Sequence, residues 1–221
     1  MNVGVLRQFC RSGSYMFDVG GNIGLIAIPI LRLVPGCRVV SLEPSPNALS
    51  FLQRTVAQSP FGDRWSVIPK GASDRTGTAE FSVADPPSGM FDGFKATNRV
   101  CEVGRVLVQV TTLDSEWKSL GQPDVSTIKI DVEGAELAVL NGAKECIAVC
   151  RPSILVEWNR RNLAAYDCRV KSLLTFAKEI EYGVYSLPHM APTANVHHLV
   201  LQMSFGESFV LLPNCSAGLE S

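Results

Sequence analysis

Four carboxylates, Asp18, Glu43, Asp131 and Glu157, each close a short apolar run of the sequence. An ionised carboxylate only accepts hydrogen bonds, so such groups suit a ligand rich in hydroxyl or ammonium donors, or a proton that must be removed. Asp18 stands in "FDVGGNIG", where Gly20, Gly21 and Gly24 surround Asn22. Glycines there permit positive φ and let backbone approach a ligand with no Cβ in the way. The dinucleotide fingerprint G-x-G-x-x-G does not fit, because its first glycine falls on Val19. Asp131 opens a second dense stretch, "IKIDVEGAE", with Glu133 and Glu136 close behind. Near a reactive centre Asp131 is the leading candidate for a general base and Glu133 the next; capping of the following helix is the other role open to Glu133 and Glu136.

These residues converge only if the apolar runs are parallel strands, whose carboxyl ends share one edge and one crevice. The pattern supports that. "SYMFDVG", "CRVVSLEP" and "WSVIPKGA" read as strands alternating with the helical "IGLIAIPILRLV" and "SPNALSFLQRTVAQ". Ser45 is the expected N-cap of the second helix and Pro46 its first residue, whereas Pro29 inside the first should kink or shorten it. The rhythm then breaks: "GTAEFSV" and "RVLVQVTTL" are strands with no helix between them, only a Gly-, Pro- and Asp-rich loop carrying Phe91, Phe94 and Lys95. Those three either anchor the loop or touch a substrate. "STIKID" is a buried strand, "GAELAVLNG" a helix closed by Gly142, "RPSILVEWN" a fifth strand, and "VKSLLTFAKEI" a helix. The tail from "EYGVYSLP" to "HHLVLQMSFGESFVLLP" reads as antiparallel strands. One domain is expected over 1–221: an extension at 1–14, a binding core at 15–160, and a C-terminal helix with strands at 161–221.

Composition excludes several classes. The 46% apolar and 19% charged residues suit a globular core, and a net charge of −1 argues against nucleic-acid binding by bulk electrostatics. The seven cysteines show neither metal-ligand nor disulfide spacing. Asp131 and Glu157 could in principle share a divalent ion, but two carboxylates do not make a metal site, and none is assigned. The longest apolar run is broken by Pro29 and Arg32 and is too short to span a bilayer. The first residues lack a secretory core, so a cytoplasmic location is expected. His189, His197 and His198 lie in the strand-like tail and are read as structural or exposed.

"DVGGNIG" resembles the first motif of class I S-adenosylmethionine-dependent methyltransferases, with Asn22 at the middle glycine position. Together with "LEPSPNA", "TTLDS", "IKIDVEGAELAVLNGA" and "VEWN", it is similar to the FkbM family over about residues 15 to 160. The resemblance implies a Rossmann-like α/β sandwich, mostly parallel, with antiparallel C-terminal strands and a strand-loop insertion after strand three. It implies S-adenosylmethionine as cofactor, with Gly20, Gly21, Asn22 and Gly24 wrapping its amino-acid part and Asp18 holding its ammonium. Glu43 would take the ribose hydroxyls, Ala72 and Ser73 would meet the adenine, and Asp131 would lie beside the methyl group. O-methylation of a small hydroxylated acceptor is the implied activity. A cofactor-binding module without catalysis is the alternative, motivated by Pro29 and by the short stretch before strand one; oligomeric state is left open.

Overall fold

The computed structural model describes residues 3–84, 93–94 and 102–214. Its main sheet has eight strands. Five are parallel, in the order β3 (Trp65–Ile68), β2 (Arg38–Leu42), β1 (Tyr15–Val19), β7 (Val125–Ile130), β8 (Ser153–Glu157). The sheet continues with β11 (Ser208–Pro213), antiparallel to both β8 and β9 (Tyr182–Ser186), and ends with β10 (Ala191–Pro192). This is the expected mostly parallel sheet with an antiparallel finish.

Alternation along the strands assigns the two faces. Phe17, Val19, Ile128 and Ile130 pack against α4 (Leu113–Ser119), α5 (Glu136–Asn141), α6 (Lys144–Cys150) and α8 (Ser172–Glu179). Met16 and Val39 point the other way, onto α1 (Val3–Leu6), α2 (Ala27–Leu33) and α3 (Pro46–Gln58). A period of two therefore puts Asp18 and Lys129, paired across β1 and β7, on the α2 side.

Several expectations are refined. Ser45 caps α3 as its spacing predicted, accepting from the N–H groups of Asn47 and Ala48, with Pro46 first in the helix. The helix expected from Ile23 starts only at Ala27, so Pro29 falls in its first turn, where a missing N–H breaks no internal bond. Gly142 does close α5, but at φ −81; its value lies in packing, since a Cβ there would sit 2.0 Å from the Ser73 carbonyl oxygen. The third strand stops at Ile68, and Gly71–Ala72 form β4 of a separate three-stranded sheet with β5 (Gly77–Ala84) and β6 (Glu102–Thr111). The tail is not all strand: His197 and His198 lie on α9 (Val196–Gln202), which Asn195 caps by accepting from the N–H of His198. Helices α6 and α7 (Arg160–Ala165) also escaped the sequence reading. Phe91 and Lys95 lie outside the described residues. Among the described residues no helix is long and apolar enough to cross a membrane.

Candidate active site

The carboxyl ends of β1, β2, β7 and β8 meet at a cleft of about 490 Å³. Of the residues expected there, Gly20, Gly21, Asn22, Glu43, Ala72, Asp131 and Glu133 line it, together with Glu157. Phe81 and Phe94, packed edge to face with centroids 5.3 Å apart, form the wall near Gly71 and Ala72. The three histidines are exposed and do not line this cleft.

The glycine turn is built for crowding on its protein side. Gly20 and Gly21 donate their N–H groups to one acceptor, the Leu42 carbonyl oxygen, at 3.0 and 3.1 Å. Gly20 has φ +75, and a Cβ there would fall 1.9 Å from the Asp131 carbonyl oxygen. Asn22 adopts φ +48, a conformation asparagine tolerates better than most residues. Gly24 lies outside the cleft, pressed onto the Trp65 ring. All three glycines therefore let the turn approach its own scaffold, since a Cβ at Gly21 would lie 2.9 Å from Ser41 Cβ.

Glu43 is locked in place. Its Oε2 accepts from the Asn22 N–H and its Oε1 from the Ser45 N–H, each at 2.8 Å. Burial pushes its carboxyl up to about 7, against the pull of those two N–H bonds.

Asp18 occupies a different place from the one its motif suggested. It is fully buried and lines no part of the cleft. Its Oδ1 lies 3.2 Å from Lys129 Nζ, and its Oδ2 accepts a 3.4 Å bond from Ser41 Oγ, which itself accepts from Trp65 Nε1. Burial raises the Asp18 carboxyl, opposed by the Lys129 charge. Lys129 was missed from sequence, yet its ammonium reaches the cleft and donates to the carbonyls of Val19 and Gly20 at 3.3 and 2.8 Å. Burial lowers its pKa, but the carboxylates of Asp18 and Asp131 more than offset that, and the pKa rises.

The strand ends gather a third carboxylate beside the expected pair. Oxygens of Asp131, Glu133 and Glu157 all lie within 4.8 Å of one another. Glu157 is pushed up to about 9, first by burial, then by its hydrogen bond with Asp131 and the charges of Asp131 and Glu133. It therefore holds a proton near neutrality, and Asp131 beside it lies 3.8 Å from Lys129 Nζ. Glu133 adopts φ +56 and accepts from Asn162 Nδ2 at 2.9 Å. Glu136 takes the orienting role: buried, it accepts from the N–H groups of Val132 and Gly134 and fixes the turn. A grouping of acids does not by itself specify an ion, and we assign none to this one.

Asp131 and Glu157 also border a second cavity of about 370 Å³, completed by Gly206, Glu207 and Ser208 at the start of β11. The backbone holds this wall: the Trp158 N–H donates to the Glu207 carbonyl at 2.7 Å, and Ser208 pairs with Glu157.

A family model described as the methyltransferase FkbM domain matches residues 18–181. Methyltransferase sdnD of Sordaria araneosa is 26% identical over 160 residues, covering 61% of this chain and 62% of that protein. 2-O-methyltransferase NoeI of Sinorhizobium fredii is 25% identical over 181 residues, covering 75% and 72%. The crystal structure of a methyltransferase FkbM from Methylobacillus flagellatus KT matches with a TM-score of 0.56 at 19% identity, over 90% of this chain and 43% of that one, a likeness of fold. The chain thus spans less than two thirds of sdnD and less than half of the solved structure.

Proposed function

The chain belongs to the FkbM methyltransferase family, a class I family dependent on S-adenosylmethionine, and from that premise we propose that it methylates a hydroxyl oxygen of a small acceptor, such as a sugar, glycolipid or polyketide-like molecule. The observation that carries this reading is the position of Asp131, which borders both the cofactor-sized cleft and the second cavity.

The cleft fits the cofactor. Glu43 is held with its carboxylate at the wall, an acceptor for the paired ribose hydroxyls, and the Gly20–Gly21 backbone offers a side-chain-free surface for the amino-acid part. The acidic lining suits a ligand carrying a sulfonium and an ammonium. When bound, the cofactor supplies an electrophilic methyl group. Asp131 accepts the proton of the acceptor hydroxyl, its ionised form favoured by Lys129 and by the hydrogen bond with protonated Glu157. Glu133, tied to Asn162, holds the turn against Asp131 and adds negative charge facing the acceptor. The wall of Gly206, Glu207 and Ser208 presents polar groups to an acceptor rich in hydroxyls. NoeI, by its name an O-methyltransferase, is similar along three quarters of the chain and supports oxygen as the target. The non-catalytic alternative loses one of its motives, because Pro29 sits harmlessly in the first turn of α2.

Incubation with trideuteromethyl-labelled cofactor and a panel of hydroxylated metabolites, read by mass spectrometry, tests the proposal. One acceptor should gain a single labelled methyl on oxygen; transfer only to nitrogen or carbon overturns it.

Glu43 gives a pH prediction with opposite signs for cofactor and fold. The ribose hydroxyls call for the ionised carboxylate, so cofactor affinity should fall by up to about tenfold per pH unit below 7 and level off above it, as calorimetric titration across pH will show. For the ligand-free fold the raised value means an extra bound proton. Glu43 then contributes most to stability at low pH, and that contribution is lost as pH rises through about 7.

A further inference from the structure

We propose that Lys129 is a positioning residue for the cofactor turn, and that Asp18 acts on the cofactor only through Lys129. The inference rests on the cofactor reading above and concerns how the turn is held. The peptide joining Val19 to Gly20 has its N–H bonded to Leu42 O at 3.0 Å and its carbonyl 3.3 Å from Lys129 Nζ. The next peptide, joining Gly20 to Gly21, repeats the arrangement: its N–H reaches Leu42 O at 3.1 Å and its carbonyl lies 2.8 Å from Lys129 Nζ. Two successive peptide planes are thus pinned at both ends, by one carbonyl on one side and one ammonium on the other. An ammonium with three donors can serve both carbonyls and still face an anion.

That anion is Asp18. The two residues are opposite one another across parallel β1 and β7, on one face of the sheet, with side chains 0% and 4% exposed. Nothing of Asp18 reaches the cleft, whereas Lys129 does. Apart from the long bond from Ser41, the ammonium is what Asp18 faces. The groups around Lys129 are Asp18 from β1, Asp131 from the end of β7 and Glu43 from the end of β2, so its charge is held by carboxylates on three strands. The acidic residue of the glycine motif is accordingly a counter-ion beneath the turn, and the ligand meets only what that counter-ion positions.

Binding of S-adenosylhomocysteine and of its analogue lacking the α-amino group, measured by calorimetry, separates this from direct ammonium recognition. Asp18→Asn is isosteric, and the pair Asp18→Asn with Lys129→Met leaves no buried charge alone, which keeps a folded protein in hand. Lys129→Met should weaken both ligands by the same factor, on the order of tenfold to a hundredfold for lost charged hydrogen bonds. Asp18→Asn should likewise weaken both equally, and the double variant should bind no worse than Lys129→Met. Lys129→Arg should recover part of the loss. If Asp18→Asn weakens S-adenosylhomocysteine but spares the deamino analogue, or if the two substitutions add fully, Asp18 contacts the ligand and the proposal is overturned. Failure of the unaltered protein to bind S-adenosylhomocysteine removes the cofactor reading itself, and this inference with it.

Discussion

Asp131→Asn should slow methyl transfer by roughly a hundredfold to ten-thousandfold, the range for losing a positioned general base, while cofactor affinity stays within a few-fold. Asparagine keeps the size of the side chain and removes its basicity, at a position that borders both cavities. Lys129 and Glu157 flank it, and Glu157, pushed up to about 9, carries a proton near neutrality. Glu157→Gln makes the contrast: glutamine preserves a neutral donor beside Asp131, so the loss there should be small near pH 7. Single-turnover rates and calorimetric dissociation constants for the two variants check both statements. A parallel collapse of affinity in Asp131→Asn would make it a cofactor ligand and leave the base elsewhere.

Gly20→Ala should abolish measurable cofactor binding. The new methyl would fall 1.9 Å from the Asp131 carbonyl oxygen, a backbone atom at the end of a fully buried strand, and φ +75 is itself unfavourable for alanine. Relief requires the turn to lift away from β7, which breaks the two N–H bonds to Leu42 and the bond from Lys129. Gly13→Ala is the control. It shares a positive φ of +78 but meets nothing within 4 Å, so it should cost only about 1 kcal/mol of stability and leave binding intact. Thermal melting beside calorimetry distinguishes the two positions.

The residues explain how much of this was readable in advance. Strand ends were legible because apolar runs stop where the chain leaves the core, and Asp18, Glu43, Asp131 and Glu157 each mark such a stop. Their separate orientations were not. Asp18 lies one residue before the end of β1, so the period of two turns it under the sheet, whereas Glu43 and Asp131 lie just past their strands and face the cleft. Lys129 was overlooked because nothing local in the buried strand "STIKID" says that Asp18 waits opposite it, 111 positions earlier in the chain. Glu133 was named, but its approach to Glu157 depends on a left-handed backbone at φ +56 that only the folded turn displays. The helical α9 was misread because "VHHLVLQM" mixes β-branched and apolar residues, while the cap that decides it is the single residue Asn195.

The antiparallel β11 has a consequence for how such a chain diversifies. Among the described residues the lining of the cleft ends in sequence at Glu157, whereas the far wall of the second cavity comes from Gly206 to Ser208, where the chain re-enters the sheet. That re-entry is anchored by backbone pairing of Ser208 to Glu157, which is indifferent to side-chain identity. Side chains along that wall can therefore be exchanged without disturbing the strand pairing that holds it, so the shape of this cavity is free to vary while the sheet beneath it is not.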